Sequence, residues 1–417
     1  MAVNSDAPRD AFRLNILIDD TRYRSMTIQI VVMILFMAGV AWLIDNIILN
    51  FRTLGKDFSF GFLWNRAGYD INQRLVEYTN DSNHGRALLV GLTNTLLVAA
   101  MGCITATIIG VIAGVLRLSK NWLVRLVMTV YVEIFRNLPL LLWMLLIYAV
   151  LTEALPPLRD FRGGNPIATM SLNGSIAITN QYTVVAAPLF AHSLGNIDLA
   201  IVFISVDLLA IIAVIVASVL ANRALLTRAT RIQEGIGNRP VTWWKSSLIL
   251  VMPLVVLLLA LGIHLDYPKL GAFNFSGGME ISNSLLALWL ALSLYSGAFI
   301  AEYVRAGILA ISHGQTDAAF SLGLRPGRTM SLVILPQAQR VIVPPLISQY
   351  LSLTKNTSLA TAVGYMDVRG TLGGITLNQT GREIECMMLL MLIYLTISLS
   401  ISVVMNVYNN AVKLKER

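Results

Sequence analysis

The stretch Ser312-His313-Gly314-Gln315-Thr316-Asp317-Ala318-Ala319-Phe320-Ser321-Leu322-Gly323, continued by Arg325-Pro326-Gly327 and Leu335-Pro336, lies between two long apolar runs and decides how the chain reads. Ser312 with Gln315 three residues on is a capping-box pattern, in which each side chain satisfies a free amide at a helix start, so a helix begins here. Gly323 and Pro326 end it, giving a helix of about ten residues over 312–323. Ala318, Ala319 and Leu322 share one face, and small alanines let a partner backbone come close. Taken alone, the same residues also describe an ordinary surface helix joining two spans.

Working outward, 56% of the 417 residues are hydrophobic and 13% charged, and mean hydropathy is +0.69. Soluble domains are about a quarter charged, so this is an integral membrane protein. Apolar runs at about 27–49, 87–116, 122–151, 197–221, 246–264, 282–311, 330–354 and 387–409 are each long enough to cross a hydrocarbon core of roughly 30 Å as helix. The expected fold is all-α, with about eight transmembrane helices. The net charge of +8 reflects basic loops beside apolar spans rather than nucleic-acid binding. Cys103 and Cys386 lie far apart without metal-ligand spacing, which argues against a disulfide or zinc site. His84, His192, His264 and His313 are scattered and form no triad or metal pattern.

The chain divides into an N-terminal arm (1–26) with Asp6, Asp10, Asp19 and Asp20 among Arg9, Arg13, Arg22 and Arg24, then a first span (27–50) and a polar loop (51–86). The first span lacks a convincing cleavage site and is expected to be retained. Trp64 and Tyr69, like Trp42, suit an interfacial position. Segment 87–151 carries two spans. Segment 152–281 holds a loop with Pro156, Pro157, Gly163, Gly164 and Pro166, then two spans around a basic stretch, 223–245. Segment 282–409 carries three more, before a short tail (410–417).

From Asp317 the spacing is Asp-Ala-Ala, three residues, Gly323, nine residues, then Val333-Ile334-Leu335-Pro336. This resembles the cytoplasmic coupling loop of permease subunits of binding-protein-dependent ABC importers, written Glu-Ala-Ala, three residues, Gly, nine residues, Ile, one residue, Leu-Pro. Asp317 and Val333 depart from it while keeping charge sign and apolar character. Ala301-Glu302, Arg305, Pro344-Pro345, Lys355-Asn356-Thr357-Ser358-Leu359, Asn94-Thr95 and Glu133-Ile134-Phe135-Arg136-Asn137-Leu138-Pro139 are similar to the polar amino-acid uptake branch, the histidine and glutamine permease-like family. The resemblance covers about 86–151 and 282–409 and implies a five-span type I permease core. It implies that Gln315, Asp317, Ala318, Ala319, Gly323, Leu335 and Pro336 couple to a separate ATPase. It also implies a second permease subunit, related or identical, and a periplasmic solute-binding protein that delivers a polar L-amino acid. No G-x-x-x-x-G-K-[ST] loop is present, so ATP and magnesium belong to the partner ATPase and the chain is not itself an enzyme.

Placing the 312–323 helix in the cytoplasm puts Arg117, Lys120, Arg125, Arg223, Arg228, Arg231, Arg239, Lys245, Arg325, Arg328, Lys413, Lys415 and Arg417 on that side, together with both termini. Loops 152–196, 265–281 and 357–386 then hold only Arg159, Arg162, Lys269, Arg369 and Arg382. This agrees with the positive-inside rule and with a bacterial inner membrane. Loop 51–86, with Arg52, Lys56, Arg66, Arg74 and Arg86, runs against it.

Glu133 with Arg136, and Glu302 with Arg305, stand three apart on spans, and helix counting puts both acids near the midplane. Charges there are costly and need partners. Either each pair braces its helix, or the two signs receive the ammonium and carboxylate of a passing amino acid. Pro139, Pro344 and Pro345 are expected to bend their helices, and Pro336 either does so or occupies a first turn. Asn94, Thr95, Asn137, Gln349, Thr354, Lys355 and Asn356 are further pathway candidates, or bonds between helices. Buried Asp207 lies outside the resemblance and receives no role. An ion-coupled secondary amino-acid transporter is the alternative, because such folds also use broken helices.

Overall fold

The computed structural model describes residues 21–412 apart from 54, 56, 163–166, 199–202, 239 and 272. The acidic and basic residues expected in the arm up to Asp20, and Gly163, Gly164, Pro166, Arg239, Lys413, Lys415 and Arg417, lie outside the described residues. The chain falls into two units, 1–60 and 61–417. The first holds α1 (Thr21–Thr53), 33 residues of helix apolar enough to cross a bilayer.

The second unit begins with a 3-10 turn and α2 (His84–Leu116), capped by the Asn83 side chain on the Arg86 amide. The expected third span is two helices, α3 (Trp122–Asn137) and α4 (Leu140–Glu153), meeting at 109°. Leu138 and Pro139 lie at the bend with extended backbone, as expected from proline's missing amide and fixed φ. Phe135 and Trp143 stack across it, ring centroids 4.1 Å apart.

The loop after α4 is not featureless. β1 (Ile176–Ile178) and β2 (Tyr182–Val185) pair antiparallel, and β3 (Ala187–Phe190) leads to a ribbon of β4 (Asn196–Asp198) and β5 (Phe203–Ser205). The span expected at 197–221 therefore starts later and runs further, as α5 (Val206–Ile236), and most of the basic stretch expected as loop is helical. α6 (Trp243–Ala260) follows. β6 (Ile263–Asp266) pairs with β3, β7 (Lys269–Leu270) with β8 (Phe275–Ser276), and β9 (Met279–Ser282) with β2. The all-α membrane architecture stands, with β structure confined to these loops. Asp207 at the head of α5 accepts from the Ser193 hydroxyl (2.6 Å) and the Leu194 amide (2.8 Å), a structural brace for the loop before α5.

α7 (Asn283–Leu309) is the central helix, and α2 lies against it over most of its length. The reason is a ladder of small residues on α2, in which Gly110 and Gly114 meet Gly297, Ile300 and Ala301 of α7, while Gly102, two turns earlier, faces Leu353. A Cβ built on Gly110 would stand 2.5 Å from the Ile300 Cβ, and one on Gly114 2.6 Å from the Ala301 carbonyl oxygen. No side chain fits there, so the backbones pack directly, the usual way membrane helices associate without a hydrophobic driving force. Thr105 and Ser293 hydroxyls bond across the same seam (2.5 Å), and Trp289 donates to Thr105 (3.1 Å).

After α7 come α8 (His313–Ser321), α9 (Pro326–Thr329), a π-helical segment (Met330–Ile334) and α10 (Leu335–Asn356). Pro336 is the second residue of α10 but not at a free helix start: the helix follows directly on the π-helical segment, whose wider Leu335 amide to Met330 carbonyl bond precedes the proline's missing amide. Pro344 and Pro345 do not end α10, which continues through both. Beyond a 3-10 turn, α11 (Val368–Gly370), a π segment (Thr371–Thr376) and α12 (Leu377–Thr380) lead to α13 (Glu383–Val412). Among the described residues, counting the bent pair α3–α4 as one span and the continuous run Pro326–Val363 as another, up to eight helical segments are long and apolar enough to cross a membrane, as expected.

Candidate functional site

α8 stands where the sequence placed it, nine residues long between the ends of α7 and α9. Ser312 is its N-cap by backbone geometry, but its side chain makes no capping bond. The Gln315 side chain instead turns to α10, its Oε1 accepting from Gln337 Nε2 at 3.3 Å. Gly323 ends the helix at φ +75°, a left-handed position that glycine takes without a Cβ penalty. Its amide reaches the Phe320 carbonyl (2.8 Å), and the Leu324 amide reaches Ala319 (3.1 Å). Ala318, Ala319 and Leu322 do not share an exposed face. Ala319 is buried, while Ala318, Phe320 and Leu322 are open, Leu322 at 82% exposure. Asp317, Leu335 and the Gln315 backbone are exposed at the same end of the bundle, and Pro336 is half-buried.

Further along α7 lies a five-residue charge cluster. Glu302 Oε1 accepts from Arg305 Nη2 at 2.7 Å, and its Oε2 takes a close bond from Arg117. Arg117 Nη2 is 3.8 Å from Glu133 Oε1, and Arg136 Nη1 is 3.9 Å from Glu302 Oε2. Glu133 and Arg136 therefore do not pair with each other as their spacing suggested. Glu133 also accepts from Asn137 (3.5 Å), and the Arg136 guanidinium lies 5.5 Å from the centroid of the Phe299 ring. Three guanidinium groups face two carboxylates, leaving one positive charge in excess.

Arg117 places this cluster. It caps the last turn of α2, so a carboxylate bonded to it sits near the helix ends and not at the midplane expected from counting. Glu302 lies about 10 Å from the end of α7 at 1.5 Å per residue. Sequence reasoning counted Arg117 among the basic residues expected on the cytoplasmic side, yet its side chain is 8% exposed. Nothing local announces this, because its partner is 185 residues away.

The remaining candidates lie elsewhere. Gln349 is buried in α10 and accepts from Tyr303 (3.5 Å), while Lys355 and Asn356 close the opposite end of α10, Lys355 exposed. Asn94 donates to the carbonyls of Gln73 (2.7 Å) and Met366 (2.9 Å), and the Thr95 hydroxyl accepts from the Val368 amide (3.0 Å), so both brace α2 to loops. Thr354 bonds back to the Tyr350 carbonyl. The buried acid Asp367, which sequence reasoning passed over, caps α11 through the Gly370 amide (2.8 Å) and accepts from Tyr394 (3.1 Å).

The described residues thus combine a short exposed helix between two spans, a partly buried charge cluster and a bundle of apolar helices. Residues 241–414 match the family described as binding-protein-dependent transport system inner membrane component. The glutamate/glutamine/aspartate/asparagine transport system permease protein BztB of Rhodobacter capsulatus is 60% identical over the whole of both chains. The chain belongs to the amino-acid ABC importer permeases. The general L-amino acid transport system permease protein AapQ of Rhizobium johnstonii is 39% identical over 95% of this chain and 94% of its own. Among solved structures, an amino acid ABC transporter crystallised with histidines aligns over 79% of this chain and 95% of its own at 16% identity and a TM-score of 0.44. The family is one of membrane transport permease subunits, and the matches give the ion-coupled alternative no support.

Proposed function

We propose that this permease carries polar L-amino acids inward across a bacterial inner membrane, driven by ATP hydrolysed on separate ATPase subunits that dock on α8. The observation that carries the reading is the surface formed by exposed Ala318, Phe320 and Leu322 on a helix held at both ends, by the start of α10 through Gln315 and by the left-handed turn at Gly323. A short helix with a fixed exit moves as a rigid piece, and a push on it reaches α7 and α10 directly. ATP and magnesium stay with the ATPase. A second permease, related or identical, completes the pathway, and a periplasmic solute-binding protein delivers substrate from the side opposite α8. Arg117, Lys120, Arg125, Arg325 and Arg328 gather on the α8 side, supporting a cytoplasmic position for it and for both termini.

The charge cluster is the proposed substrate contact nearest the coupling helix. Arg136 and Arg305 offer planar donors to a carboxylate, and Glu133 with Asn137 offers acceptors to an ammonium. The excess positive charge suits a substrate with a second carboxylate or a side-chain amide, in keeping with the substrates in the name of the Rhodobacter relative. Pro139 positions Glu133 and Arg136 by ending α3, and Gln349, Lys355 and Asn356 would meet substrate earlier along its path.

The test is uptake of labelled glutamate, glutamine, aspartate and asparagine into vesicles containing the purified complex. ATP inside a loaded vesicle system, with binding protein on the other face, is expected to drive accumulation. Accumulation driven by a proton or sodium gradient without ATP would overturn the reading.

A further inference from the structure

The hairpin α5–α6 stands apart from the packed bundle. Among the described residues its helices lie against each other and against β4, β5 and β6, with no extended packing on α2, α7 or α10. α6 buries no residue, and α5 buries only Asp207, Ser218 and Ala229. The apolar side chains of both helices are open along most of their length, as expected of helices surrounded by lipid.

α5 is too long for that purpose alone. Its 31 residues extend about 46 Å, roughly 16 Å more than a hydrocarbon core. The surplus is at the C-terminal end and changes character there. Arg223, Arg228 and Arg231 fall within about 140° of arc at 100° per residue, and Leu225, Ala229, Ile232 and Ile236 form a stripe on the other side. This end is a basic amphipathic helix continuous with a span. The next helix opens with Trp243, Trp244 and Lys245, Trp243 being 74% exposed and the Lys245 ammonium 5.4 Å from the Trp244 ring centroid. Arg223, Arg228, Arg231 and Lys245 are all exposed, and among the described residues none makes an ion pair. Over 222–245 the sequence holds five cations and one acid, Glu234.

We infer that the inner end of the α5–α6 hairpin binds the headgroups of anionic phospholipids. Exposed tryptophans mark the depth of the interface, the apolar stripe of α5 seats the helix end at the acyl boundary, and the unpaired guanidinium groups face the phosphate layer. A lipid is favoured over a protein partner because the charged face is the direct continuation of surfaces already immersed in bilayer. Arginine matches phosphate oxygens with paired donors, and each cation near an anionic surface adds a similar increment.

The full-length chain in detergent is titrated with phosphatidylglycerol or phosphatidylcholine and bound lipid is counted by native mass spectrometry. The expected result is preferential binding of phosphatidylglycerol, lowered about five-fold for each cation removed in Arg223→Gln, Arg228→Gln, Arg231→Gln and Lys245→Gln, with phosphatidylcholine binding unchanged. Lysine at the three arginine positions should keep most of the preference, since charge at a surface does most of the attraction. Single variants give the same graded loss should the combined one fail to fold. Equal binding of the two lipids by the unmodified chain, or a preference that survives the combined variant, overturns the inference. Competition by soluble glycerol phosphate as effective as the lipid would also overturn it. The readout is lipid binding, so failure here leaves the transport reading untouched.

Discussion

Arg117, the residue that ends α2, is bonded to Glu302 in the interior of α7, and through Glu302 it is joined to Arg136 and Arg305. Removing one member of such a group strands the others. Arg117→Met removes one of the donors to Glu302, which keeps Arg305, and leaves the half-exposed Glu133 to water, so it should cost about 1.5–3 kcal/mol, the range for a hydrogen bond to a charged group. Glu302→Gln leaves Arg117 with Glu133 alone and Arg136 and Arg305, both about a third exposed, to solvent, and should cost about 1.5–3 kcal/mol, the range for hydrogen bonds to charged groups. Unfolding midpoints in detergent read both, and unchanged midpoints would remove the cluster from the list of what holds α2, α3 and α7 together.

The exit of α8, the helix proposed to dock the ATPase, gives a second prediction. Gly323 has φ +75°, so Gly323→Val forces a β-branched residue into left-handed backbone at a cost of about 1–2 kcal/mol. ATP-dependent uptake should fall by roughly tenfold, the effect of about 1.4 kcal/mol, with the complex still assembled on size-exclusion chromatography. Gly323→Asn, a residue that tolerates this backbone, should keep most of the uptake. Equal uptake by the valine and asparagine variants would show that the turn has no part in coupling.

At the α2–α7 crossing, Gly110→Leu drives a side chain into Ile300 and the Gly297 carbonyl, 2.5 and 2.9 Å from where its Cβ would be. Overpacking of this kind costs about 1–3 kcal/mol. Ile300→Ala on the same chain should restore part of the loss. The check is the unfolding midpoint of the single and double variants, and equal midpoints would mean the seam opens without cost.

Asp367 predicts a pH dependence. Burial, partly offset by the Gly370 amide and the Tyr394 hydroxyl, pushes its carboxyl up to about 6. The folded chain then holds this proton more tightly than the unfolded chain. Its stabilising contribution is complete below about pH 4, falls as pH rises through 6, and is gone above. Across that window the unmodified chain should lose about 3 kcal/mol relative to Asp367→Asn, which has nothing to titrate. Parallel stability curves for the two between pH 4 and 7 would contradict this.

Much of this architecture was legible because membrane helices announce themselves by length and hydropathy, and because the Asp317 to Pro336 spacing is long and particular. The bend at Pro139 followed from proline chemistry. What escaped were features whose cause lies elsewhere in the chain. Arg117 looks like any basic residue after a span until α7 brings Glu302 to it. The strands of the outer loops are two to four residues long, too short for an alternating pattern to register. The basic end of α5 was read as loop because charge was taken to end a span, whereas a helix can continue past the bilayer surface. The ladder Gly102, Ala106, Gly110, Gly114 was present as small residues every four positions and went unread.

That ladder makes tolerance to substitution one-sided. Most interior positions can be varied in both directions, trimmed or enlarged, and a neighbour relaxes into the difference. Gly110 and Gly114 have nothing to trim, so every available replacement is an enlargement and meets main chain or a branched side chain. In a library of random variants scored for folded protein, these two sites should be depleted to near silence, while the open apolar surface of α6 accepts almost any lipid-compatible residue.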